Sequence, residues 1–150
     1  IKTFTQKVNW KNLDFIIVDM PPGTGDTQLT FSQEIKMDGA IIVSTPQELA
    51  LLDVKRGIKM FDKLGVKILG LVDNMSYFIG DDKKKYKIFG EGGVKKTAED
   101  FKKEFLGEIP INSQVGQFGD EGKPIVESDP DHEISKIYLN FANKIKSNYL

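Results

Sequence analysis

An aspartate followed by a stiff, glycine-containing loop is the feature of this sequence best suited to chemistry. Asp19 is the last residue of the apolar run DFIIVD. After one intervening residue, the chain continues with PPGTGD. A carboxylate at the end of a strand can hold Mg2+ directly or through water, or can accept a phosphoryl group. The two prolines fix the backbone, and the glycines after them let backbone N–H groups approach an anion such as a terminal phosphate. The motif as a whole predicts a nucleotide-sensing loop, whereas the aspartate alone would favour a simple capping role.

Short apolar segments predict the strands that would position this loop. Residues 13–19, 40–44 and 66–72 are rich in Ile, Val and Leu and are bounded by turn residues, as is typical of strands covered on both faces. They alternate with helical segments, which predicts an open, doubly wound, mostly parallel α/β sheet. Ligands of such sheets bind beyond the carboxyl ends of the strands, so Asp19 would lie at the ligand-facing edge.

The helices are predicted from capping residues and from apolar spacing. The sequence TPQE gives the clearest start, with Thr45 as the cap, Pro46 as the first helical residue and Glu48 three residues after the cap. A final amphipathic helix carries apolar residues on one face at positions 134, 137, 141 and 145. The remaining predictions are a helix over 26–35, a helix over 94–103, a short strand at FLGEI, and a loop that holds Pro110, Gly116, Gly119 and Gly122.

Length and composition predict one soluble domain without an electrostatic preference for a partner. The 150 residues suffice for a single core, and 21 basic against 22 acidic side chains leave a net charge of -1. Neither nucleic acid nor a membrane is therefore predicted as a partner, and no segment resembles a membrane span or a signal peptide. The expected compartment is the cytoplasm. The first residues, IKTFTQKVNWKNLD, read as the end of an element that starts upstream, so a fragment is expected.

Several ordered motifs give the sequence a resemblance to a known family. The chain resembles the Mrp family of P-loop ATPases, bacterial relatives of ATP-dependent iron-sulfur cluster carriers, in the stretches DFIIVDMPPGTGDTQLTFSQ, DGAIIVSTPQELALLDVKRGIKMF, LGLVDNMSYF, IFGEGG and FLGEIPI. The resemblance extends from about residue 10 to about residue 145. It implies a MinD/ParA-like P-loop NTPase fold that is incomplete at its N-terminus, with residues 1–150 as the carboxy-terminal portion of one domain. It also implies ATP and Mg2+ as cofactors, a homodimer when full-length, and apoproteins or cluster-assembly proteins as partners.

The resemblance assigns the phosphate side of a nucleotide site to the PPGTGD loop. Asp19 matches the Walker B aspartate, which would orient Mg2+ through its water. Gly23 matches the switch glycine whose N–H would sense the γ-phosphate, and Pro22 belongs to the same loop. Asp19 and Gly23 would therefore be the catalytic residues.

The base side is assigned to two later motifs. Asn74 matches the asparagine that hydrogen-bonds adenine, because an amide offers the donor and the acceptor that the base requires. Outside its motif, Asn74 would be interpreted as a turn or capping residue. Pro110 and Ile111 match the loop that lines the base pocket.

The P-loop of the family is absent from this chain. No G-x-x-x-x-G-K-[ST] sequence or lysine-rich variant occurs in it, and family members carry that loop upstream of where this chain starts. Backbone amides and a lysine of the P-loop cradle the phosphates, so without them the nucleotide loses its main anchor. The isolated chain is predicted to bind ATP weakly or not at all and not to hydrolyse it, whereas the full-length protein would be an ATPase.

The cysteine pair of many family members is also absent. Their C-x-x-C motif bridges a cluster between two subunits, and the matching positions here are Gly80 and Lys83, which cannot ligate iron. The chain contains no Cys, so no iron-sulfur ligands are predicted within it. Either the protein belongs to a cysteine-lacking branch with another role, or cluster ligands lie outside this sequence. Asp81 and Asp82 are interpreted as a solvated hairpin tip, and His132 as a surface residue without a partner.

Three functions remain open. The leading one is an ATP-dependent iron-sulfur cluster carrier, a metallochaperone of cluster assembly, of which this chain is the carboxy-terminal part. A ParA/MinD-type partitioning or positioning ATPase is disfavoured by the PPGTGD form of the loop and by the lack of a basic patch or amphipathic anchor. A non-catalytic scaffold domain would suit the missing P-loop and cysteines.

Overall fold

The computed structural model describes residues 7–20, 30–32 and 34–147, and their centre is a four-stranded mixed sheet. Its strands are β1 (Ala40–Ser44), β2 (Ile68–Ile79), β3 (Lys85–Tyr86) and β4 (Phe105–Ile111). β1 and β4 both pair with β2 in parallel, and β3 pairs with the far end of β2 in the antiparallel direction. The predicted mostly parallel sheet is confirmed.

Helices cover both faces of this sheet. They are α1 (Glu48–Lys63), α2 (Gly93–Asp100), α3 (Ser113–Asp120), α4 (Ile125–Ser128) and α5 (Glu133–Lys146), and residues 30–32 and 34 are also helical. α1 and α2 pack on one face, and α3, α4 and α5 pack on the other. This is the doubly wound arrangement predicted from the alternation of strands and helices. Within the described ranges, no helix has the length and apolar character needed to cross a bilayer.

The core on the α1 and α2 face follows from helical spacing. Leu51, Val54 and Ile58 recur at intervals of three and four residues along α1 and are buried. They pack with Ile68 and Leu71 of β2. Ile58 and Leu71 are completely buried, at 0% exposure. Because burial of one such side chain stabilises a fold by roughly 1.5–3 kcal/mol, these contacts fix α1 to the central strand.

The opposite face is packed by the last third of the chain. The predicted amphipathic helix at the end of the sequence is confirmed as α5, which places Ile134 in the core and packs Phe141 against it. β4 passes close to α5 at Gly107, whose φ of 147° is one that side-chain-bearing residues rarely adopt. A Cβ at this position would lie 2.9 Å from the Phe141 ring. The remaining buried members of this cluster are Val72, Leu106, Ile109 and Ile125.

The apolar run before Asp19 differs from its prediction. Residues 13–19 form no strand, and their side chains are exposed, with Ile17 at 93% exposure. A buried strand needs ladder partners on its edges and cover on its faces. No such pairing of this run appears among the residues that the structure describes. Apolar composition alone therefore predicted the wrong structure for these residues.

β1 was predicted with its correct bounds and has one ladder neighbour in the described part of the chain. It pairs with β2 from Ala40 to Ser44. Ile41 and Val43 point to the face that is not covered by α1, and they are 43% and 59% exposed. The strand is therefore buried on one face only.

Other boundaries shift as well. α1 begins at Glu48 with Gln47 as its N-cap, so the predicted cap at Thr45 is wrong. The Thr45 hydroxyl instead lies 3.5 Å from the side-chain oxygen of Gln47. β2 continues to Ile79 rather than ending at residue 72, and α2 ends at Asp100 rather than at residue 103. The segment predicted as a glycine-containing loop instead forms α3 and α4.

Candidate functional site

Polar side chains line up across the sheet where β1 ends. Ser44 of β1, Asp73 of β2 and Glu108 of β4 are register partners. One residue further along, Asn74 pairs with Ile109. This is the edge at which doubly wound sheets bind their ligands.

A cavity of about 410 Å3 lies where β2 and β4 end and where α3 and α5 begin. Phe78 and Ile79 of β2, together with Pro110 and Ile111 of β4, form its apolar wall. The polar wall consists of the first residues of α3 and α5 and the residues that precede them. Its volume falls within the range of roughly 300–1,000 Å3 that is usual for small-molecule pockets.

Both helix starts at this cavity are capped by side chains. The Gln114 N–H donates to Oδ1 of Asn112 at 2.8 Å, and the Ile134 N–H donates to Nδ1 of His132 at 3.1 Å. Because Nδ1 of His132 accepts this bond, neutral His132 carries its proton on Nε2. The interpretation of His132 as a surface residue without a partner is therefore wrong. It is half-buried, caps α5 and lines the cavity.

The residues predicted for the base side lie on neighbouring strands. Pro110 and Ile111 line the cavity, and Asn74 lies half-buried on β2, in register with the residue before Pro110. These three residues are thus carried by paired elements at one end of the sheet.

The residues predicted for the phosphate side are placed differently. Asp19 is exposed and lies in a segment without strand pairing. Pro22 and Gly23 lie outside the described residues, as does the first part of the helix predicted over 26–35. The structure therefore describes the base side of the predicted site and, on the phosphate side, only Asp19.

Asp73 is a buried carboxylate that sequence reasoning missed. Asp73 is 1% exposed, and its Oδ1 has no hydrogen-bond partner among the residues that the structure describes. The pKa of Asp73 is raised from 3.8 to about 6, chiefly because burial penalises the charged form and further because of the negative charge of Glu108, while the positive charge of Lys87 lowers it. The available signal was an acidic residue directly after the apolar sequence LGLV.

The hairpin between β2 and β3 contains the positions that match the family's cysteines. The Lys83 N–H donates to the Gly80 carbonyl at 2.8 Å, so both positions belong to a tight turn. Asp82 accepts hydrogen bonds from the Lys84 N–H at 3.0 Å and from the Tyr86 hydroxyl at 2.8 Å. These bonds, led by that from the Lys84 backbone, lower the pKa of Asp82. The hairpin is held by this network and offers no thiolate to an iron-sulfur cluster.

A metal centre built from several protein ligands is not found in the part of the chain that the structure describes. No group of three His, Cys, Asp or Glu side chains in these ranges could hold a metal ion. The role predicted for Asp19 requires only one carboxylate, because Mg2+ keeps most of its water ligands. As an exposed carboxylate, Asp19 has the chemistry for that role.

Solved structures with the same fold include a nucleotide-binding protein and a cell division ATPase. The nucleotide-binding protein of Archaeoglobus fulgidus, solved in complex with ADP, aligns with a TM-score of 0.76 at 41% identity and covers 87% of this chain and 54% of that one. The cell division ATPase MinD of Pyrococcus furiosus aligns with a TM-score of 0.68 at 23% identity, over 97% of this chain and 55% of that one, and supports the fold alone.

The family of the chain is identified by sequence. A family model described as the NUBPL iron-transfer P-loop NTPase of the ParA group matches residues 1–146, and the chain belongs to this family. The iron-sulfur cluster carrier protein of Aquifex aeolicus is 46% identical over 140 residues, which are 93% of this chain and 38% of that protein. The iron-sulfur cluster transfer protein NUBPL of Mus musculus is 44% identical over 146 residues, which are 97% of this chain and 46% of that protein. The chain spans less than half the length of these relatives, and the predicted family is confirmed.

Proposed function

We propose that this chain is the carboxy-terminal part of an ATP-binding iron-sulfur cluster carrier. The observation that carries the proposal is the cavity beyond β2 and β4, with its apolar wall and its two capped helix starts. A related structure is named a nucleotide-binding protein in complex with ADP, and curated relatives are named iron-sulfur cluster carriers. Both names support the proposal.

The cavity is proposed to hold the base of the nucleotide. Phe78, Pro110 and Ile111 supply apolar surface for a flat aromatic ring. The amide of Asn74 has one donor and one acceptor group for the edge of adenine. Its place on β2, beside the strand that carries Pro110, supports this role.

The phosphate side is proposed to lie at the PPGTGD loop. Asp19 would orient Mg2+ through water, and Mg2+ would neutralise charge on the phosphates. The N–H of Gly23 would donate to the γ-phosphate, with Pro22 restricting the loop. ATP hydrolysis would require the P-loop of a full-length protein, because its amides and lysine hold the phosphates.

The cargo and partners follow from the names of the relatives. A cluster carrier would deliver its cluster to apoproteins or receive it from cluster-assembly proteins, and we propose a homodimer in the cytoplasm as the working form. This chain contains no Cys, so thiolate ligands for the cargo would have to come from outside these 150 residues.

Base binding is tested by NMR titration of the labelled chain with Mg-ATP. We expect weak binding, with shift changes concentrated at residues 111–113 and 132–134, and no hydrolysis. Ile111→Asp should abolish these changes because it places a charge in the apolar wall. Leu49→Asp, at a position of α1 that is 79% exposed, is the matched control and should leave them unchanged.

Two outcomes would contradict the proposal for the isolated chain. One is a micromolar affinity for Mg-ATP by isothermal titration, since the chain lacks a P-loop. The other is a set of shift changes that survives Ile111→Asp. The cargo is tested on the full-length protein by anaerobic reconstitution, which should give a cluster absorbance; a colourless product that still hydrolyses ATP would indicate a different cargo.

A further inference from the structure

Three charged side chains lie on neighbouring segments where the hairpin returns to the sheet. Lys87 is the first residue after β3, and its Nζ lies 3.2 Å from Oε1 of Glu108 on β4. Glu108 is the register partner of Asp73 on β2. The Lys87 and Glu108 side chains are 26% and 34% exposed, so the pair is partly shielded from water. The ion pair therefore joins the segment after the hairpin to the centre of the sheet.

Asp73 makes this group unusual, because its carboxylate is buried with one oxygen unpaired. Within the described part of the chain, Oδ1 has no hydrogen-bond partner, and the hydroxyl of Ser44, the register partner of Asp73, donates to the Thr45 carbonyl at 2.9 Å. The charged groups that act on Asp73 in the described residues are Glu108 and Lys87. The helices on this face bring no charge into the core; their buried residues here are Leu51, Val54, Ile58, Val94, Thr97 and Ala98.

The charges of the group do not balance. With both carboxylates ionised, two negative charges face the single positive charge of Lys87. Lys87 is then attracted by both carboxylates, and the attraction is strengthened by the low local polarity of the buried site. Once Asp73 takes up a proton, Lys87 loses the attraction of Asp73 and keeps its ion pair with Glu108 and its place 5.6 Å from the centre of the Tyr77 ring. Docking of Lys87 against the sheet therefore favours the ionised form of Asp73. By thermodynamic linkage, ionisation of Asp73 favours docking of Lys87 by the same free energy.

We propose that Asp73, Glu108 and Lys87 form a proton-linked latch: ionised Asp73 holds Lys87 and the segment after the hairpin against the sheet, and protonation of Asp73 loosens that segment. The latch goes beyond the proposed function and does not depend on nucleotide or cluster. It acts on the hairpin that ends β2, and Phe78 and Ile79 at that end also line the cavity. Loosening the hairpin would therefore change the apolar wall of the cavity.

The latch is tested by NMR on the whole chain, from about pH 8 to about pH 5. Carboxyl carbon shifts report the ionisation of Asp73, and 15N relaxation reports the motion of residues 80–88. We expect Asp73 to titrate near its pKa of about 6, and the hairpin amides to become more mobile over the same range. Amides of the buried part of β2, such as Leu71, should stay rigid and serve as the internal reference for the folded state.

Substitutions separate the latch from a merely structural ion pair. Lys87→Met should raise the pKa of Asp73 and make the hairpin mobile already at high pH. Asp73→Asn should remove the pH dependence of hairpin motion and fix it at the level of the protonated wild type. Lys83→Met, at an exposed hairpin lysine, is the matched control and should leave both readouts as in the wild type.

The proposal is overturned if the hairpin relaxation does not change between the two ends of the titration while Asp73 titrates. It is equally overturned if Lys87→Met leaves the titration of Asp73 unchanged. Neither result would bear on nucleotide binding, because no nucleotide is present in the experiment.

Discussion

The base side and the phosphate side of the candidate site differ in what surrounds them. On the base side, Asn74, Pro110 and Ile111 lie on paired strands with helices on both faces. On the phosphate side, Asp19 ends a run that has no strand pairing and whose Ile17 is 93% exposed. The run before Asp19 and the strands of the base side have similar apolar composition. Their different structures show that neighbouring strands and covering helices, rather than composition, decide whether an apolar run becomes a strand.

The largest expected effect compares a buried isoleucine of the core with an isoleucine of the run before Asp19. Ile58→Ala should lower the free energy of unfolding by about 2–5 kcal/mol, because it leaves a cavity between α1 and the central strand. Ile17→Ala should change it by less than about 0.5 kcal/mol, because Ile17 is already exposed. Urea denaturation of both variants measures the difference. Equal losses would show that the run before Asp19 is packed in solution.

The second effect concerns the buried carboxylate of the base side. The folded-state pKa of Asp73 is about 6 and its ordinary value is 3.8, so the folded protein binds this proton more tightly than the unfolded chain. Stability should therefore be lowest above pH 6 and should rise as the pH falls towards 3.8. Asp73→Asn should stabilise the fold at neutral pH by up to about 3 kcal/mol and should flatten this dependence.

Urea denaturation across this pH range measures the change. Asp53→Asn, at a side chain that is 66% exposed, is the control and should keep the wild-type dependence. The assignment of this pH dependence to Asp73 would be contradicted if the stability of the wild type fell on acidification over the same range and the stability of Asp73→Asn fell equally.

A third comparison uses two glycines near the base side. Gly107→Ala should destabilise the fold by about 1–3 kcal/mol, because its φ of 147° and the Phe141 ring both oppose a Cβ. Gly116→Ala should stabilise it by about 0.5–1 kcal/mol, because Gly116 lies within α3 with open space around it. Opposite shifts in melting temperature are expected, and shifts of the same sign would contradict the described path of one of the two segments.

The smallest effect concerns the cap of α5. His132→Ala removes the acceptor of the Ile134 N–H and should cost about 1 kcal/mol. His132→Asn should recover most of this loss, since Asn is a good cap. Thermal unfolding measures both variants at neutral pH. A His132→Ala variant as stable as the wild type would show that the cap bond contributes nothing.

Local sequence signals predicted much of the fold. β1 was predicted with its observed bounds because a short apolar run lies between clear turn residues, and α5 because its apolar residues recur at helical spacing. α3 was missed because Gly116 and Gly119 suggested a loop, whereas the Asn112 cap and the packing of Val115 and Phe118 favour a helix. At α3, tertiary packing overrode local propensity.

Site residues were predicted only where a motif carried them. The resemblance predicted Pro110 and Ile111 for a base pocket, which stays a prediction, and both residues line the cavity. Asp73 was missed because its surroundings depend on burial and on a strand distant in sequence, and His132 because histidine is not among the preferred N-cap residues. The contact of Asp73 with Glu108 follows from the register of two strands, which no local pattern encodes.

The exposed face and edge of β1 bear on how this chain behaves at high concentration. Among the described residues, β1 has no ladder partner on its outer edge. Such an edge can act as a template for a strand of another molecule, and exposed Ile41 and Val43 favour such addition. A net charge of -1 provides little electrostatic repulsion between molecules. Colloidal stability is thus limited at β1, and a lysine in place of Val43 is the simplest way to improve it.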